Sequence, residues 1–143
     1  MSASLQTKTA ELTLGDFVKH LIASLSEDDS VTIPFQDAEP WHMLFYDLKK
    51  TDNPELLTGR PDFFRNLRFD WDGPYPKSRR LEEYLQCLHW NAGVEAHNPG
   101  YVSISVDDHV ARLWMKQIEA APTDYKEFLT RATARAKQSF ASP

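Results

Sequence analysis

Leu67-Arg68-Phe69-Asp70-Trp71-Asp72-Gly73-Pro74-Tyr75-Pro76 is the stretch that decides the fold. Apolar Leu67, Phe69 and Trp71 alternate with Arg68, Asp70 and Asp72, which is the period of a half-buried strand. Asp72-Gly73-Pro74 ends it. Downstream, Ser78 is placed to cap a helix with Leu81, Tyr84, Leu85 and Leu88 on its inner face, and Asn91-Ala92-Gly93 reads as its C-terminal stop. Val94–Ala96 and Val102–Val106 predict two further strands. His97-Asn98-Pro99-Gly100 between them suits a type II turn, with proline second and glycine third. Strand, turn, helix and hairpin in this order make a winged-helix-like unit from Leu67 to Val106. The expected fold is therefore α+β, a winged-helix-like core flanked by additional helices.

Upstream, residues 1–12 are polar and without period, and read as a flexible tail ahead of a single domain over residues 13–143. Thr13 and Asp16 have capping-box spacing. Leu14, Phe17, Val18, Leu21, Ile22 and Leu25 follow as one apolar helical face. Val31-Thr32-Ile33 predicts a short strand stopped by Pro34. A second helix is expected from Asp37 as N-cap, with Pro40 in its first turn, where the missing N–H costs little. Its buried face is Trp41, Leu44, Phe45 and Leu48. Pro61-Asp62-Phe63-Phe64 predicts a helical turn. After the hairpin, Asp107 is expected to cap a helix burying Val110, Leu113, Trp114, Ile118 and Ala121, broken by Pro122. A last helix from Thr123 or Asp124 buries Tyr125, Phe128, Leu129, Ala132 and Ala136. Its outer side carries Lys126, Arg131, Arg135 and Lys137.

With 143 residues, 41% hydrophobic and 26% charged, the chain can bury a core without staples. Cys87 is the only cysteine, so neither an internal disulfide nor a cysteine-rich zinc site can form within one chain. No basic segment followed by an apolar run marks a secretory signal, and no window approaches the roughly 18 apolar residues of a membrane span. A cytoplasmic protein without membrane contact is expected. The net charge of −5 is uneven: residues 1–47 hold two lysines against eight acids, the remainder 14 bases against 13 acids. This balance weighs against nucleic-acid binding, which needs a local basic surface.

Phe69-Asp70-Trp71-Asp72-Gly73-Pro74-Tyr75-Pro76, followed by a helix, a hairpin and a capped helix, resembles a group of small prokaryotic winged-helix-like proteins that carry a Gly-Pro-Tyr-Ser element between strand and helix. These are the YwgA-like proteins and, more distantly, the antitoxin-type Panacea domains. Leu44-Phe45-Tyr46 is similar to the Leu-x-Tyr helix that precedes the element there. Pro76 stands where those proteins have serine, and Ser78 follows two positions later. The resemblance spans residues 41–115 and implies a fold and a regulatory role, without chemistry.

Three functions are weighed. The first is a non-enzymatic regulatory or adaptor protein whose core binds a protein partner or a second copy of itself. The second is a DNA-binding regulator of the antitoxin or transcription-factor kind. Its surface would draw on Arg79, Arg80, Gln86 and Trp90 of the helix after Ser78, and on Arg131, Arg135 and Lys137 of the last helix. Arg79 and Arg80 lie in a first helical turn, where the dipole disfavours cations, so they are placed to face an anion. The plainer reading pairs them with Glu82 and Glu83 on a solvated face. Glu82, Glu83 and Glu95 also sit where phosphate would approach. Trp90, opposite Leu81 on its helix, would suit a protein interface unless another helix covers it. The third, weaker function is a hydrolase or nuclease using a composite of His89, His97 and His109 with aspartates such as Asp70 and Asp72.

Cys87 and His89 are two apart on a helix and make a poor metal pair, and a lone cysteine there is more simply packing. No Walker loop, dinucleotide-binding glycine pattern, nucleophile elbow or His-Glu-x-x-His is present. The sequence weighs against an enzyme, and no metal or cofactor is expected.

Overall fold

The computed structural model describes residues 12–28, 31–35, 37–88, 93–97 and 103–141. In chain order these form α1 (Leu14–Leu25), β1 (Ile33–Pro34), α2 (Glu39–Lys50), the short α3 (Pro54–Leu57) and α4 (Phe63–Asn66), α5 (Arg79–Gln86), β2 (Val94–His97), β3 (Ser103–Val106), α6 (Asp108–Glu119) and α7 (Thr123–Ala141). The class is α+β, mostly helical, with a small antiparallel sheet.

α1 starts where the capping box places it. Thr13 Oγ1 accepts from Asp16 N and Asp16 Oδ2 accepts from Thr13 N, each at 3.1 Å, so two otherwise orphaned donors are satisfied. Phe17, Val18, Leu21, Ile22 and Leu25 are fully buried, and His20 and Ala23 are buried beside them. Burial on so many sides makes α1 the central helix. It packs against α6 and α7, and α7 packs in turn on α2 and α3. The Phe17 ring stands 5.5–5.6 Å from Phe45, Phe64 and Phe128, so one side chain joins α1, α2, α4 and α7. In α7, Tyr125, Phe128, Leu129, Ala132 and Ala136 are buried at helical spacing, and Phe140 meets Trp41 at 5.0 Å.

The sheet has the order β1-β3-β2. Ile33 faces Ile104, Val94 faces Val106 and Ala96 faces Ile104. Buried Ile33, Val94 and Ile104 point to the core, whereas Glu95 and Ser105 are exposed. Pro34 lies within β1 rather than after it, at a sheet edge that tolerates a residue without an N–H. The Trp41 indole N–H donates to the Pro34 carbonyl at 2.7 Å and ties α2 to this edge.

The expected strand over Leu67–Trp71 is not formed. Leu67 is buried and Phe69 half-buried, as alternation predicts, but Trp71 is 60% exposed. An extended segment needs a partner for its backbone, and the side of β3 away from β2 is taken by β1. Instead, Lys49 Nζ donates to the Leu67 carbonyl. Asp70 and Lys77 exchange two backbone hydrogen bonds of 3.0 Å, closing residues 71–76 into a loop. The sheet's third strand therefore comes from Ile33–Pro34.

Smaller differences have equally local causes. Ala38, not Asp37, is the N-cap of α2, while Asp37 Oδ1 accepts from Glu39 N at 3.1 Å. Asp107 caps α6 without a side-chain hydrogen bond. Leu113 is 47% exposed, on the outer side of α6. α5 ends at Gln86 with Cys87 as C-cap, and Cys87 is exposed rather than packed. Leu12 packs against the core. The turn at 98–100 and the helical stop at Asn91-Ala92 lie outside the described residues. Gly93, which follows them, has φ 85°, and a Cβ there would stand 2.3 Å from Val110 Cγ2.

Candidate interaction cleft

The loop from Asp70 to Lys77 and the helix α5 that follows it enclose the main cleft. Ser78 sets their junction. Its Oγ accepts from Leu81 N at 3.3 Å and its carbonyl from Glu82 N at 3.0 Å, which starts α5. Its own N–H, buried, donates to His42 Nδ1 at 3.0 Å. A backbone amide can only donate, so Nδ1 carries no proton and the neutral imidazole holds its proton on Nε2. That Nε2 is buried and makes no hydrogen bond of good geometry. Its nearest charged neighbour is Glu82 Oε1, 3.3 Å away, which Lys77 Nζ also approaches, at 3.7 Å. Burial lowers the His42 pKa below the usual histidine value, and the Glu82 carboxylate only partly opposes this. His42 thus acts as a neutral peg between α2 and the start of α5. Tyr75 covers it, with rings 5.8 Å apart, and Lys77 Nζ sits 5.5 Å from the Tyr75 ring centre.

The cleft outside this peg has a volume of about 550 Å³. Asp70, Asp72, Glu82 and Glu83 line it against Lys77 and Arg79, with Tyr75 and Gln86 between them. A neighbouring depression of about 410 Å³ shares Tyr75, Lys77, Glu82 and Gln86, and continues toward Phe35 and Leu85. The lining carries four carboxylates and two cations.

Of the residues expected to form a partner or nucleic-acid surface, the structure brings Arg79 and Gln86 together in this cleft, both exposed. Arg80 is exposed on another side of α5, over a depression shared with Thr13, Tyr84 and Cys87. Among the described residues neither arginine forms an ion pair, because Glu82 is turned to Lys77 and His42. Trp90 lies outside the described residues. On α7, Arg131 donates to the Glu55 carbonyl at 3.2 Å, Arg135 pairs with Asp47 of α2, and Lys137 stands 3.5 Å from Asp28. These three cations fasten α7 to its neighbours.

His109 is exposed, and the side chains of His89 and His97 lie outside the described residues. Among the described residues no three His, Cys, Asp or Glu side chains are grouped to hold a metal ion. Asp70 and Asp72 are exposed.

Two buried histidines carry the internal polar structure instead. Besides His42, His20 lies between α1, α6 and α7, with Nδ1 2.7 Å from the Tyr125 hydroxyl and Nε2 3.3 Å from Gln117 Oε1. Burial pushes the Tyr125 pKa far up and the His20 pKa down, so both groups are neutral; with Nε2 donating to Gln117 Oε1, Nδ1 is the nitrogen that accepts from the phenol. The only sign of either in the sequence is position: His20 comes three residues after Phe17 and His42 three before Phe45, within apolar helical faces. No helix among the described residues is long and apolar enough to cross a membrane. Comparison with known protein families, curated proteins and solved structures gives no match for this chain.

Proposed function

We propose that this chain is a non-enzymatic regulatory or adaptor protein whose winged-helix-like core presents the cleft beside α5 to a protein partner. The order α1, β1, α2, α5, β2, β3 and the β1-β3-β2 sheet support that core, with α3 and α4 as an insertion ahead of α5. The observation that carries the reading is the cleft: mixed charge with an acidic excess, next to a Trp71 that is 60% exposed. Exposed aromatics beside polar rims are typical of protein interfaces. A photo-crosslinking amino acid at position 71, with a control at exposed Leu113, tests it in cells. A discrete adduct from position 71 and none from 113 is expected. Equal labelling from both positions would sink the reading.

One observation favours DNA as the second reading. Arg79 and Arg80 stand exposed in the first turn of α5, without ion pairs among the described residues. Against it, Glu82 and Glu83 share their helix, and the arginines and lysine of α7 are engaged within the chain. Fluorescence anisotropy with a random duplex at low salt decides the matter, because non-specific electrostatic contact shows at micromolar protein. No rise in anisotropy is expected.

A further inference from the structure

The outer side of α2 and the segment after Leu67 leave an aromatic patch uncovered. Trp71 is 60% exposed, while Tyr46 and Phe69 are half-buried beneath it. The Tyr46 ring meets Trp71 at 5.6 Å and 89°, and Phe69 at 5.3 Å and 77°. Met43, 41% exposed, lies one turn before Tyr46 on α2. A lone exposed apolar residue needs no explanation, but a contiguous aromatic group held edge to face does. Trp71 rests against Tyr46 and keeps most of its surface open to a partner.

Charge decides what could sit there. Asp70 and Asp72 flank Trp71 and open into the cleft with Glu82 and Glu83. Lys77 is shared with Glu82, which leaves Arg79 as the other cation of that lining. On the opposite border, Lys50 stands 5.9 Å from the Tyr46 ring centre, and exposed Arg68 precedes Phe69. The patch is thus acidic on the cleft side and basic on the α2 side. A phosphate backbone would meet the four carboxylates. A second copy carries the same net charge of −5, which opposes self-association. A guanidinium suits the place: it stacks on an aromatic face and forks onto a carboxylate.

Resting on the adaptor reading above, we propose that Trp71, Asp70 and Asp72 dock a basic segment of the partner protein, with an arginine stacked on Trp71 and paired to one of the two aspartates. The aromatic patch is the seat, and the carboxylates select the occupant.

The test uses fluorescein-labelled peptides of identical length, one alternating arginine with leucine and one with glutamate in place of arginine. Anisotropy is read on the full chain at low and at raised salt. The arginine peptide binds, loses affinity as salt rises, and weakens by about tenfold or more in Trp71→Ala and in the double variant Asp70→Asn, Asp72→Asn. Leu113→Ala binds as the parent does. Thermal melts of all variants stay with the parent, since the changed side chains are exposed. Equal binding of the two peptides, no binding by either, or an unchanged affinity in Trp71→Ala overturns the proposal. So does self-association abolished by Trp71→Ala. If the position-71 crosslink captures a segment without basic residues, the basic-segment proposal falls and the adaptor reading stands. If position 71 labels no more than position 113, the adaptor reading falls.

Discussion

His42 Nδ1 accepts the backbone N–H of Ser78 at 3.0 Å, and through that one bond α2 fixes where α5 begins. The Ser78 amide is buried, so it has no water to fall back on. His42→Ala leaves that donor orphaned and opens a cavity, and is expected to destabilise the fold by about 2–4 kcal/mol. His42→Asn can place an amide oxygen near the Nδ1 position and should recover part of the loss. Urea denaturation of the two variants beside the parent checks the order. Equal loss in both would mean that ring packing, and not the acceptor, is what matters.

Acid should weaken the protein through two histidines. His20 and His42 both have pKa values lowered by burial. Above the ordinary histidine pKa of about 6.5 neither state is protonated, and their contribution does not vary with pH. Below it the unfolded chain takes up protons that the native state refuses. Stability then falls with falling pH, by up to about 1.4 kcal/mol per pH unit for each group, until the native pKa is reached. Chemical denaturation between pH 7.5 and 5 should show this slope, and His42→Asn should roughly halve it.

Tyr125→Phe removes the hydroxyl that donates to His20 Nδ1 at 2.7 Å and leaves that nitrogen buried without its donor. A loss of about 1–3 kcal/mol is expected. The double variant Tyr125→Phe, His20→Leu should lose less than the two single changes added together, because each single change already breaks the same bond. A double-mutant cycle by thermal or urea unfolding reads the coupling.

Gly59 has φ 80°, and a Cβ there would stand 2.0 Å from the Asp124 carbonyl oxygen. The obstacle is backbone at the start of α7, which cannot swing aside as a side chain can. Gly59→Ala is therefore expected to cost more than the roughly 1 kcal/mol of the strained backbone alone, and to shift α7 against α3. Gly73, with nothing within 4 Å, is the control, and Gly73→Ala should leave the unfolding midpoint almost unchanged.

The helical faces were legible because periodicity reports burial directly. The apolar positions read for α1, α2 and α7 are those found buried, and Thr13 and Ser78 cap as their residue types predict. Leu67–Trp71 misled because alternation describes a face and not a partner. Whether an extended segment joins a sheet depends on pairings made far away in sequence, and here the place beside β3 belongs to β1. The pairings of the α7 cations were not legible for a related reason. Arg135 is 88 positions from Asp47, and nothing local in either segment announces that they meet. The cleft was half visible: Arg79 and Gln86 follow from helical phase, whereas Lys77, Glu82 and Tyr75 gather only because His42, from another helix, holds Ser78 in place.

Pro34 sets a limit on how this protein can be approached. β1 spans two residues at the margin of the sheet, and one of them has no amide hydrogen to offer. An incoming chain that tried to extend the sheet there would find almost no free backbone to pair with. That margin is closed both to recognition by strand addition and to the edge-to-edge stacking that begins many aggregates. Recognition on this side of the molecule is left to side chains.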